Sequence, residues 1–118
     1  MKPIEHLTEA TFNATVDRRG LTVIDFWADW CGPCRAMAPQ FERAASMRPQ
    51  YSFAKVDVNT EPGLAARYGI RSIPTMMVLR NGEPIAAQAG LVGADQLVAA
   101  LDRLAAPVAE ATPAREAL

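Results

Sequence analysis

The spacing of apolar and polar residues changes several times along the chain, and each change marks an element. Leu21-Thr22-Val23-Ile24-Asp25-Phe26-Trp27-Ala28 is an apolar, β-branched and aromatic run without alternation, the signature of a strand buried on both faces. Upstream, Thr8 is placed as a helix N-cap, with Glu9 in the first turn and Leu7 and Phe12 as a hydrophobic staple. Phe12 and Val16 mark the buried face of that helix, and Arg19-Gly20 ends it. Beyond the strand, Met37, Phe41, Ala44 and Ala45 recur at helical spacing as far as about Met47, interrupted by Pro39, which is expected to kink the helix and need not end it. Phe53 to Val58 reads as the next strand, and Pro62 opens a short helix with Leu64, Ala65 and Tyr68 inward, stopped by Gly69. This alternation argues for an α/β fold with a parallel core. Thr75 to Leu79 and Ile85 to Ala89, joined through Asn81-Gly82, predict a hairpin with a type I′ turn, so an antiparallel pair joins the sheet. Leu97, Val98, Ala100, Leu101 and Leu104 make a last amphipathic helix. Residues 1–106 are therefore expected to form one domain, and 107–118, which lack a core face, a flexible tail.

Composition narrows the function more than the fold. Half of the 118 residues are apolar and the net charge is −1, with both signs scattered. That offers no basic stripe for nucleic acid and no polybasic arm for a membrane surface. No stretch approaches the length of a membrane span, and the first six residues carry an acid and no apolar signal core, so a soluble, cytoplasmic protein is expected. Proteins or small thiols are the partners that remain.

The chemistry concentrates at Trp30-Cys31-Gly32-Pro33-Cys34, which holds the only two cysteines of the chain, at the junction of the buried strand and a helix. Residues i and i+3 share one face of a helical turn, within the Cα separation of about 4.4–6.8 Å that a disulfide tolerates, so the pair can close or open with little backbone movement. Cys31 precedes the helix, where unpaired first-turn N–H groups and the positive end of the dipole favour a thiolate; it is expected to be the nucleophile, at an exposed edge. Cys34, one turn in and covered, is expected to resolve. Pro33 suits the first turn because it lacks an N–H that would go unpaired there. A closed zinc site wants four ligands, and beyond these cysteines there is only His6, so no metal is expected. A purely structural bridge across so short a loop would remove little unfolded-chain entropy.

With these residues in view, the chain from about Ile4 to Leu104 closely resembles the thioredoxin family. Phe26-Trp27-Ala28-Asp29-Trp30-Cys31-Gly32-Pro33-Cys34 is similar to its active-site sequence, Tyr68-Gly69-Ile70-Arg71 and Ile73-Pro74-Thr75 to its later signature, and Asn81-Gly82 to its hairpin. The resemblance implies a mixed five-stranded sheet flanked by four helices; the elements read above supply all four helices and four of the five strands. Thioredoxins are themselves standard examples of a CxxC pair with a lowered thiol pKa and a reducing potential. The resemblance also implies that Asp25 is a buried proton acceptor near the resolving thiol, Lys55 its neighbour, and Pro74 a cis-proline facing Cys31. Desolvation inside an apolar strand should raise the Asp25 pKa, and Lys55 should oppose that; a structural Asp25–Lys55 pair is the alternative. Trp30 either plugs the core or, with Val58, Ile73, Pro74, Gly90 and Leu91, forms a groove for an extended substrate segment. Arg35 stands where lysine is common, and Leu91 is bulkier than the small residue expected beside the groove.

The function these readings imply is reduction of protein disulfides by a monomer without a bound cofactor. The resemblance implies recycling by a flavoprotein thioredoxin reductase drawing on NADPH, since the chain has no dinucleotide fingerprint of its own. Two rivals share the fold: an oxidant or isomerase, and a non-enzymatic subunit that uses the same groove to hold a partner.

Overall fold

The central strand of the sheet is the one with the unbroken apolar run. In the computed structural model, which describes residues 4–17 and 20–106, β2 (Leu21–Trp27) is flanked on both sides in a five-stranded sheet of order β1-β3-β2-β4-β5. Along the chain come β1 (Glu5–His6), α1 (Phe12–Val16), β2, α2 (Gly32–Met47), β3 (Ser52–Asp57), α3 (Pro62–Arg67), β4 (Thr75–Arg80), β5 (Glu83–Ala89) and α4 (Ala94–Ala105). β1 and β2 pair with β3 in parallel, whereas β4 runs antiparallel to both β2 and β5, so the sheet is mixed as expected. The expected tail, 107–118, and Arg19 lie outside the described residues.

Alternation along the strands sorts the core into two layers. Leu21 and Val23 of β2, with Met76 and Val78 of β4, pack against Met37 and Phe41 of α2 and Leu97 and Leu101 of α4. Ile24 and Phe26, with Met77 and Leu79, face the other way onto Phe12, Val16 and Leu64 of α1 and α3. Such an arrangement explains why β2 shows no alternation: both of its faces are covered, and six of its seven residues are buried. Pro39 sits inside α2, which continues past it to Met47. At its far end α2 is tied to α4, where the Arg48 guanidinium donates to Asp102 through Nε at 3.0 Å and Nη2 at 2.8 Å, and Tyr51 adds its hydroxyl at 2.8 Å. Those hydrogen bonds, that of Arg48 above all, hold the Asp102 carboxyl below its usual pKa.

Two elements depart from expectation. α1 begins at Phe12, not after Thr8, and its N-cap Thr11 makes no side-chain cap bond. Thr8 instead closes a separate turn, its carbonyl accepting from Thr11 N–H at 3.1 Å and from Phe12 N–H at 2.9 Å. The reason lies in Glu9, which is drawn away to α3: its N–H donates to Glu61 Oε1 at 2.9 Å and its own carboxylate accepts from Gly63 N–H at 2.9 Å, capping a different helix. Leu7 and Phe12 are nonetheless buried in one cluster. β1, to which the sequence assigns no range, is two residues long, too short to show a period.

The hairpin turn has positive φ at both central residues, 51° at Asn81 and 88° at Gly82, as a type I′ turn requires. Asn81 Oδ1 accepts from Gly20 N–H at 2.7 Å, fastening the turn to the start of β2. A Cβ on Gly82 would lie 2.7 Å from Asp17 Oδ1, in addition to being strained in the left-handed region. Gly82→Ala should therefore destabilise by about 1–2 kcal/mol and lower Tm by several degrees, measured by thermal melting. A variant that melts with the parent would contradict this account of the turn.

Candidate active site

β2 ends at Trp27, and a short turn, closed by Cys31 N–H donating to the Ala28 carbonyl at 3.2 Å, delivers Cys31 to the N-cap of α2. Its backbone is extended there (φ −92°, ψ 111°), and its Sγ accepts from Cys34 N–H at 3.2 Å, so the sulfur occupies the place a capping oxygen would take. Cys31 and Cys34 are joined as a disulfide with Cα atoms 5.2 Å apart. Pro33 stands in the first turn, and with Gly32 is exposed. Arg35 donates from Nη1 to the Asp29 carbonyl at 2.8 Å, folding its charge back over the same turn.

The expected contrast in exposure between the sulfurs is absent in this oxidised form: Cys31 is 5% and Cys34 4% exposed. Both are sealed by packing, since Val58 and Ile73 close against the Ala28–Cys31–Cys34 cluster. What separates the two cysteines is position, because only Cys31 stands at the helix cap. The Ile73 carbonyl oxygen lies 3.7 Å from Cys31 Sγ, and the Ile73-Pro74 peptide is cis, as the resemblance implies. Pro74 is buried, and its carbonyl accepts from Gly90 N–H at 2.8 Å, which brings Leu91 to this side of the molecule. Gly90, with φ 93°, needs the freedom of glycine at this contact. Trp30 is 66% exposed and Leu91 57%, so Trp30 does not plug the core.

Asp25 is fully buried, and neither of its carboxylate oxygens has a hydrogen-bond partner. Burial pushes its pKa up to about 6, against the downward pull of Lys55. Lys55 is its cross-strand neighbour on β3, yet the Lys55 ammonium lies over the Trp27 ring, 4.9 Å from its centroid. A hydrogen-bonded structural pair is therefore not what holds Asp25. Trp27, two residues along and on the same face, is the feature the sequence reading missed: its indole N–H is also buried without a partner. The available signal was an aromatic residue sharing a strand face with a buried acid. Asp25 itself lies between Val23, in the cluster of Met37 and Phe41, and Trp27, which packs on the cysteine cluster.

Among the described residues no group of three or more His, Cys, Asp or Glu is placed to hold a metal ion, and no helix is long and apolar enough to cross a membrane. Concavities beside Tyr51 and Arg80, and between β5 and α4, include no residue of the cysteine turn.

Comparison with known proteins places this arrangement. The family model described as thioredoxin matches residues 3–103. A Streptomyces coelicolor protein is 45% identical over 84 residues, 71% of this chain and 63% of that protein's length. Thioredoxin C-3 of Corynebacterium nephridii is 38% identical over 104 residues, covering 87% of this chain and 71% of the relative. A thioredoxin of Staphylococcus aureus is 38% identical over 101 residues, 85% of this chain and 96% of its own. With the family matched over most of its length and a disulfide between Cys31 and Cys34 at the head of α2, the chain belongs to the thioredoxin family of dithiol–disulfide oxidoreductases.

Proposed function

We propose that the chain reduces disulfide bonds in other proteins, and the observation that carries this reading is Cys31 at the cap of α2, bridged to Cys34 and faced by the Ile73 carbonyl. In the bridged form Cys31 Sγ already accepts from the Cys34 N–H, and a thiolate formed there on reduction stands in the positive field of the helix terminus, which favours the ionised sulfur. It attacks one sulfur of a substrate disulfide. A Cys31–substrate bond forms, and the other substrate sulfur leaves as a thiolate that takes a proton from water. Cys34 then gives its proton to Asp25 and attacks Cys31 Sγ, which re-forms the internal bridge and releases the second substrate thiol. Two electrons pass to the substrate, and the chain ends oxidised.

Asp25 suits the accepting role because a pKa near 6 leaves it ionised at neutral pH and still basic enough to take a proton. Lys55 tempers that pKa. Trp30, Gly32 and Pro33 shape the reactive turn, and Trp30, Val58, Ile73, Pro74, Gly90 and Leu91 receive the substrate's extended segment. The supporting geometry is the chain of contacts from Cys31 through Ile73 and Pro74 to Gly90. Residues 1–106 form the working domain, a monomer in the cytoplasm. A flavoprotein reductase using NADPH returns the pair to the dithiol. The reading is tested by dithiothreitol-driven reduction of insulin; a rate no higher than the uncatalysed background overturns it.

Cys34→Ser should accumulate stable mixed disulfides with substrate proteins, because Cys31 still attacks and nothing releases the product; Cys31→Ser should accumulate far fewer. Mass spectrometry of captured species reads the difference, and capture mainly through Cys34 would reverse the assignment. Asp25→Asn should slow turnover at neutral pH and stabilise the fold. A folded-state pKa above the ordinary 3.8 means that ionisation opposes folding: the cost is absent below about pH 4, grows between pH 4 and 6, and is full above that. The gain on substitution is accordingly at most about 3 kcal/mol at pH 7 and vanishes near pH 3.5, as chemical denaturation at the two pH values will show. Unchanged turnover at pH 7 removes Asp25 from the mechanism.

A further inference from the structure

The loop of residues 90–93, between β5 and α4, is held from two sides by its own backbone N–H groups. On one side Gly90 N–H donates to the Pro74 carbonyl at 2.8 Å. On the other, two side chains of α2 act as acceptors: Met37 Sδ takes the buried N–H of Val92 at 3.4 Å, and Gln40 Oε1 takes the N–H of Ala94, the first residue of α4, at 2.9 Å. Gly93, the N-cap of α4, has no side chain to do this for itself. Cys34, Met37 and Gln40 succeed one another at intervals of three along α2, so the helix face that carries the resolving cysteine also carries both loop acceptors. Within the stretch so fastened, Val92 is buried and Leu91 is 57% exposed. An exposed leucine between fixed backbone points is presented, whereas one on a free loop would fold down onto the nearest apolar surface.

We propose that Met37 and Gln40 are positioning residues for disulfide exchange. They hold the 90–93 loop so that Leu91, with Trp30, offers an apolar rim to the substrate and favours proteins with a bulky apolar side chain next to the reacting cysteine. The proposal rests on the reading that this surface receives the substrate's extended segment. A thioether is a weak acceptor, so a Met37→Leu change keeps the volume and leaves a buried N–H unpaired. Gln40→Leu does the same at the start of α4, while Gln40→Glu retains an oxygen acceptor at a helix N-terminus that favours negative charge.

The test compares three disulfides: two peptides that differ only in leucine or serine beside the cysteine, and hydroxyethyl disulfide, which is too small to reach the rim. The parent should reduce the leucine peptide with the higher kcat/KM. Met37→Leu and Gln40→Leu should each reduce that preference about fivefold, chiefly through KM, with the rate on hydroxyethyl disulfide unchanged. Gln40→Glu should keep the preference, and Gln40→Leu should have no further effect in a Leu91→Ala background. An unaltered preference in both leucine variants overturns the proposal, as does a parallel loss on all three disulfides, which would mark a merely structural role. If the parent reduces hydroxyethyl disulfide but neither peptide, it is the reading of a groove for protein substrates that fails.

Discussion

Two-sided burial of β2 is the constraint on which the rest of the structure depends. Because helices cover both faces of this strand, its side chains from Leu21 to Phe26 are all buried, including one that ionises. Asp25 is left without hydrogen-bond partners, and the energy of that arrangement appears as an acid with a pKa near 6. The same strand ends where α2 begins, so the geometry that strands the carboxyl also delivers the cysteine turn. Acid and disulfide are two outcomes of one packing decision.

α2 transmits that decision outward. Its cap is a reactive sulfur, its first turn holds the second cysteine, its inner face packs on Val23, and its far end is tied to α4 through Arg48 and Asp102. Meanwhile Pro74 joins β4 to the 90–93 loop from the opposite side. Residues far apart in sequence, at 31, 73 and 90, are thereby brought into one chain of contacts.

What could be read from the sequence was whatever is local. The buried run of β2, the N-cap position of Cys31, the survival of α2 past Pro39 and the turn at Asn81-Gly82 all follow from the chemistry of a few adjacent residues. The cis state of Pro74 came only through family resemblance, since nothing in its neighbours requires it. The start of α1 was misread because Glu9 answers to Gly63 and Glu61, more than fifty residues away. For the same reason Met37 is legible as core but not as an acceptor for Val92, and Trp27 as strand but not as a second unpartnered group beside Asp25. β1, at two residues, has no period to read.

The near-equal concealment of both sulfurs in the bridged form bears on how the oxidised protein is recognised. Its surface at this place advertises tryptophan and leucine rather than sulfur. On the proposed reading, a protein that docks on that hydrocarbon gains contact energy before any sulfur is touched, so concealment of the bridge adds a demand on the partner's surface to the demand on its chemistry.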